Sequence, residues 1–288
     1  MKKSIRVVAL LAIRNESLFI GKCLEHLYSQ GIYTYVIDNE STDNSISIAE
    51  KFKNRGVIGI ESLPFTGVFD LTAQLEFKQK IAKSLEADWF IHHDADEIRY
   101  APSHFTSLHD GILSADRAGY NAINFNEFVF LPTSKEKSYE GTDYEQSMLY
   151  YYFFAPKTLR RINAWKNFGQ EIDLISSGGH AVNFPDISIY PENFIMRHYL
   201  ALSFDHACKK YGSTRKYSTT ELQRGWHFGR AKFHENRFHF PNQKKMKVVG
   251  SDIDLDTSDP WRRHTIFGND RFSKIVFRMM NKIRNVMR

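Results

Sequence analysis

The chain has 288 residues, 42% of them hydrophobic, which is enough apolar content for a packed core in one large domain or two small ones. Two distant cysteines, Cys23 and Cys208, offer neither a disulfide framework nor a Cys-x-x-Cys metal pair, so a reducing compartment is expected. The net charge of +6 resides entirely in residues 271–288, where Arg271, Lys274, Arg278, Lys282, Arg284 and Arg288 stand without an acid. The first 270 residues are therefore near neutral, which argues against a nucleic-acid partner, since such proteins carry a basic stripe through the domain.

The opening MKKSIRVVALLAI has the basic start and apolar run of a signal peptide. Arg14-Asn15-Glu16 cuts that run short, and no stretch approaches the ~20 apolar residues of a membrane span. Residues 5–13 are thus expected as a first buried strand of a cytoplasmic protein. A helix follows over 17–29, with Leu18, Leu24, Leu27 and Tyr28 at helical spacing, then a strand over 33–38. The pattern continues with a helix over 45–52, a strand over 57–62, a helix over 71–85 and a strand over 88–93. Strands this apolar on both faces imply an α/β fold with a mostly parallel central sheet and flanking helices.

Beyond residue 130 the pattern loosens. Residues 131–146 are polar and are expected as a mobile loop, 149–154 as an aromatic strand and 203–211 as a short helix. With no repeat or linker, a single domain over 1–270 with an elaborated C-terminal half is expected, followed by a separate basic segment. On a helical wheel, Phe272, Ile275, Val276, Met279, Met280, Ile283, Val286 and Met287 share one sector and the basic residues take the other. That is the pattern of a helix lying on an anionic membrane face or docking on the domain.

In open parallel sheets, ligands bind outside the carboxyl ends of the strands. Three polar clusters fall there: Arg14-Asn15-Glu16, the run Asp38 to Asp43, and Asp94-Ala95-Asp96-Glu97. In extended backbone, residues i and i+2 point the same way, so Asp94 and Asp96 could address one hard cation that also grips a diphosphate. An acidic turn capping a helix near Ser103 is the alternative. A second acidic cluster, Asp252, Asp254 and Asp256, fails as a calcium loop, because Thr257 and Arg263 stand where Gly and Glu are needed. His180 follows two glycines in SSGGHAV, which suggests close approach of backbone to a ligand, or a plain turn. His92 and His93 alternate faces, so at most one can reach such a pocket. The stretch 224–240, rich in aromatics, Arg and His, suits acceptor binding or packing.

The order AIRNE, VIDNESTDNS, ADWFIHHDADEI resembles the nucleotide-sugar domain of inverting GT-A glycosyltransferases, specifically the family 2-like group, over about the first 130 residues. The resemblance implies that Asn15, Glu16 and Asp38 hold the nucleoside, that Asp94 lies near ribose and metal, and that Asp96 binds the metal. FIMRHYLALSFDHACKKYGSTR, residues 194–215, resembles the segment whose histidine completes that site, here His198. A divalent metal, Mn2+ or Mg2+, is the implied cofactor. The partners so implied are a nucleotide-diphosphate sugar donor and a surface-glycan or lipid-linked acceptor. Residues 131–270 would supply the acceptor side. An inverting transfer needs a base for the acceptor proton; the usual acidic pair is missing, leaving Glu171 and Asp173 as candidates, with Glu127 as rival. A metal-dependent phosphate-ester hydrolase using the same ligands and a non-catalytic carbohydrate- or nucleotide-binding module are the alternatives.

Overall fold

The computed structural model describes residues 4–226, 234, 237–250 and 255–267. The amphipathic segment 271–288, much of 224–240, and Asp252 and Asp254 lie outside the described residues. The N-terminal part runs β1 (Val7–Ile13), α1 (Ile20–Ser29), β2 (Tyr33–Asp38), α2 (Ser45–Glu50), β3 (Val57–Ser62), α3 (Leu71–Ser84) and β4 (Trp89–His93). These are the alternating elements expected from periodicity. Strands β3, β2, β1 and β4 lie side by side in parallel, with Ile13 opposite Asp38 and Leu11 opposite His93. That register lines up the carboxyl ends of β1, β2 and β4 on one edge.

Both faces of β1 are covered, which is why its sequence shows no alternation. Val7, Ala9, Leu11 and Ile13 join the cluster containing Ile20, Cys23, Leu24 and Leu27 of α1, while Val8 and Leu10 join Leu75, Ile81 and Ala82 of α3. Each such aliphatic side chain, taken fully out of water, contributes about 1.5–3 kcal/mol.

The C-terminal elaboration comprises β5 (Glu97–Tyr100), α4 (Leu108–Arg117), β6 (Ala122–Phe130), α5 (Tyr144–Ser147), β7 (Tyr150–Phe154), β8 (Ile162–Lys166), β9 (Phe194–Tyr199), α6 (Phe204–Tyr211), α7 (Thr219–Arg224) and β10 (Lys247–Val248). Strand β8 runs antiparallel between β4 and the start of β6. The rest of β6 pairs with β9 in parallel and with β7 antiparallel, and β9 in turn holds β5, with Glu97 opposite His198. The whole is an α/β architecture with a mostly parallel central sheet, flanking helices and an elaborated C-terminal half. No helix among the described residues is long and apolar enough to cross a membrane.

Two local expectations change. The helix expected near Ser103 begins at Leu108, because the Ser107 hydroxyl accepts from the Asp110 N–H at 3.1 Å and caps it there. The polar run 131–146 is tied down: Tyr139 N–H donates to the Leu202 carbonyl, and Lys22 pairs with Asp143 at 2.9 Å. Tyr144 is buried against Phe19 and Tyr199. The anchoring residues lie far away in sequence, so polarity alone suggested freedom.

Candidate functional site

The loops after β1 and β2 are laced into one unit at the carboxyl edge. Asn15, at φ 57°, accepts from Thr42 N–H at 2.7 Å and donates its own N–H to the Ser41 hydroxyl at 3.0 Å. Glu16 N–H reaches the Ser45 hydroxyl at 2.8 Å, and Ser17 N–H reaches Asp43 at 3.1 Å. The Asp38 carboxylate turns back on its own loop and accepts from Ser41 N–H at 3.1 and 3.2 Å. Asn15 and Asp38 therefore shape the edge, while the Glu16 side chain reaches onward to Lys210 of α6 at 3.4 Å.

Lys210 also lies 2.9 Å from Asp96, in the turn between β4 and β5. Asp96 Oδ2 in turn stands 3.3 Å from Nε2 of His198 on β9, whose Nδ1–H donates to Glu127 of β6 at 2.8 Å. Glu127 is gripped by Arg161 through two contacts of 2.8 and 2.9 Å, with Arg160 at 3.3 Å. Arg161 donates to His180 Nδ1 at 2.7 Å. A chain of ion pairs, closed by a hydrogen bond from Arg161 to His180, thus runs from the end of β1 to the glycine turn before His180. Burial works against the charge of Asp96, yet Lys210 and His198 outweigh it and hold that carboxyl well below its usual range. His198 is raised to about 9, burial being overcome by Asp96 and Glu127. Glu16 is raised to about 7, burial outweighing the pull of Lys210.

Asp94 belongs to a separate arm. Its carboxylate lies 3.5 Å from the ammonium of Lys78, a lysine buried on α3. That ammonium donates to the His93 carbonyl at 2.9 Å and lies 3.2 Å from Nδ1 of His92. Burial, then Lys78, push His92 well below its ordinary range, so the ring is neutral and accepts. Half of the Asp94 side chain is exposed, against 7% for Asp96 and 1% for Glu127, which makes Asp94 the more open carboxylate.

Several expected residues land elsewhere or in other roles. Glu171 is 81% exposed and paired with Lys83 at 2.8 Å. Asp173 accepts from Ile175 and Ser176 N–H groups at 2.8 and 2.9 Å and so closes its own turn. Gly178 and Gly179 do sit at positive φ, but what they approach is the protein's own rings: a Cβ on Gly179 would stand 3.0 Å from His92, and one on Gly178 3.3 Å from Trp226. Lys78, Arg161 and Lys210 carry the site's positive charge and were not assigned from sequence. Lys78 did leave a signal, as a lysine on the inward face between Leu75 and Ile81.

The divalent cation that the resemblance implies would need converging oxygens with negative charge to spare. Asp94 and Asp96 do not converge as extended neighbours, because residues 94–97 form a turn in which Glu97 N–H donates to the Asp94 carbonyl at 3.1 Å. One aspartate faces Lys78 and the other Lys210 and His198. Among the described residues no group of three or more His, Cys, Asp or Glu side chains is arranged to hold a metal ion. The set Asp94, Asp96 and His198 therefore does not fit the ion. A hollow of about 520 Å³, bordered by Arg6, Lys83, Glu86, Asp88 and Asn167, lies at the amino ends of β1 and β4, the opposite edge of the sheet from these residues.

No family model and no curated protein matches the chain. Solved structures similar to it include S. aureus TarS 1-349, at 13% identity and TM-score 0.43 over 68% of this chain and 60% of that one. Mannosyltransferase PcManGT from Pyrobaculum calidifontis, in complex with GDP-Man and Mn2+, matches at 16% identity and TM-score 0.33 over 43% of this chain and 36% of its own. Glucosyl-3-phosphoglycerate synthase from Mycobacterium tuberculosis, with Mn2+, UDP and phosphoglyceric acid, matches at 16% identity and TM-score 0.28 over 43% of each chain. The chain thus spans about three fifths of the first of these structures. At that level, likeness assigns neither family nor ligand to this chain.

Proposed function

We propose that this chain is a GT-A-type, family 2-like glycosyltransferase that moves a sugar, with inversion, from a nucleoside-diphosphate donor to a hydroxyl of a surface-glycan or lipid-linked acceptor. One observation carries the reading. Glu16, Asp96, His198 and Lys210, spread over 194 residues, meet at the carboxyl edge of a parallel sheet, where open α/β folds bind ligands. The sequence resemblance falls on the three segments that carry these four residues. Asp94, the open carboxylate, is the group assigned to the donor's ribose, and the laced loop carrying Asn15 and Asp38 forms the nucleoside wall. In the transfer, the acceptor oxygen bonds the anomeric carbon as the bond to the diphosphate breaks and its electron pair stays on phosphate; the hydroxyl proton passes to a carboxylate base.

A second reading, a module that binds nucleotide sugar without transferring it, is favoured by the state of the three candidate bases. Glu127 is committed to Arg161 and His198, Asp173 to its own turn, and Glu171 to Lys83. A thermal-shift panel of nucleoside diphosphates tests the shared part, since a ligand bound only by the native state raises stability by RT ln(1 + [L]/Kd). No shift with any of them at millimolar concentration sinks both readings. Release of nucleotide from a donor panel, with and without glycan acceptors, then separates transfer from binding.

For the segment 271–288 we propose peripheral contact with the inner face of an anionic membrane, where a lipid-linked acceptor would be found. Its support is the sequence pattern of one apolar sector opposite six basic residues.

A further inference from the structure

A diphosphate brings two or more negative charges, and a site must supply positive charge to receive it. A divalent cation does so only where carboxylates hold it with charge left over. Here that charge is already spent. Glu16 and Asp96 face Lys210, Asp94 faces Lys78, Glu97 faces Arg99, and Glu127 faces Arg160 and Arg161. Each of these five carboxylates already has a lysine or arginine within 3.5 Å, so a divalent ion would have to displace a basic partner to bind.

Lys210 is placed to serve instead. Its ammonium has three N–H groups, and its contacts to Asp96 and Glu16 take two of them. The side chain is 12% exposed, and its ammonium, besides these two carboxylates, lies 4.9 Å from the centre of the Phe19 ring at the carboxyl edge of the sheet. Arg215 is anchored beside it, its guanidinium donating to the Lys210 carbonyl at 2.7 Å.

We propose that Lys210 holds the donor's diphosphate directly, so that nucleoside diphosphates bind this protein without a divalent cation. The proposal rests on the glycosyltransferase reading for its ligand, and two independent measurements separate them. Calorimetry of the full chain with UDP, GDP and inorganic pyrophosphate is run in EDTA and again in millimolar Mn2+, and binding of Mn2+ alone is followed by loss of its free-ion paramagnetic resonance signal. The expected result is a Kd that changes by less than about threefold between the two conditions and no stoichiometric uptake of Mn2+ alone. Lys210→Ala is expected to weaken pyrophosphate binding about ten- to a hundredfold, with Lys210→Arg restoring part of it. Binding that requires Mn2+, or Mn2+ taken up stoichiometrically by the wild-type chain, overturns the proposal and leaves the glycosyltransferase reading standing. Absence of binding by all three probes in both conditions overturns both. Because the wild-type measurements decide the matter alone, a Lys210 variant that fails to fold does not protect the idea.

Discussion

Arg161 closes on Glu127 through two parallel hydrogen bonds of 2.8 and 2.9 Å, with the Glu127 side chain only 1% exposed. Taking two charges out of water is costly, and a fork of this kind offsets the cost only while both partners remain. Arg161→Met should therefore destabilise the protein by about 3–5 kcal/mol, and Glu127→Gln in the same background should recover part of that loss. Urea unfolding checks both steps. A single variant as stable as wild type would mean that Glu127 finds its charge balanced elsewhere.

His198 supplies a pH dependence of stability. Its pKa is raised from 6.5 to about 9 in the folded protein, where burial is outweighed by Asp96 and Glu127. A basic group with a raised folded pKa stabilises fully below its unfolded pKa and loses that contribution as pH climbs through the folded one. Stability should thus fall between about pH 6.5 and pH 9 by up to roughly 3 kcal/mol, and His198→Gln should flatten this slope. Denaturation midpoints across that range, in both proteins, give the answer.

Gly179 sits at φ 78° with the His92 ring 3.0 Å from where a Cβ would stand, whereas Gly141, at φ 75°, has nothing within 4 Å of that point. Both alanine variants bear backbone strain of order 1–3 kcal/mol, and only Gly179→Ala adds a clash. Thermal melts should rank Gly179→Ala clearly below Gly141→Ala. Equal melting temperatures would refute the close packing of the glycine turn on His92.

Asp94 is half exposed, so its loss should cost function more than fold. Asp94→Asn is expected to lower stability by about 1–2 kcal/mol, because Lys78, 1% exposed, loses its charged partner, while lowering kcat/KM for the donor by about a hundredfold, the scale of one lost charge-assisted contact to the reacting ligand. Full activity in that variant would remove Asp94 from the site.

The tail gives the last test. Each basic residue near an anionic leaflet contributes ~1 kcal/mol, screened by salt. Cosedimentation with phosphatidylserine vesicles should be strong at low salt for the full chain and lost when residues 271–288 are removed; equal, salt-insensitive partitioning of both would defeat membrane attachment.

Much of the fold was written in local pattern. Val7 to Ile13, Tyr33 to Asp38 and Trp89 to His93 read as strands because burial on both faces leaves continuous apolar runs, and Leu71 to Ser84 read as a helix because one face is buried. Parallel order then placed Glu16, Asp38 and Asp94 on one edge without any coordinates. What periodicity could not carry was partnership across long stretches of chain. That Arg161 fills the hand of Glu127 depends on β8 lying beside β6, and that Lys78 meets Asp94 and Lys210 meets Asp96 depends on how α3 and α6 pack at the edge of the sheet. A charged side chain is worth little until its counter-ion is fixed, and tertiary packing alone fixes it. For the same reason an acidic Asp-x-Asp suggested a metal from sequence, while only the fold shows that residues 94–97 make a turn with Lys78 beside Asp94 and Lys210 beside Asp96.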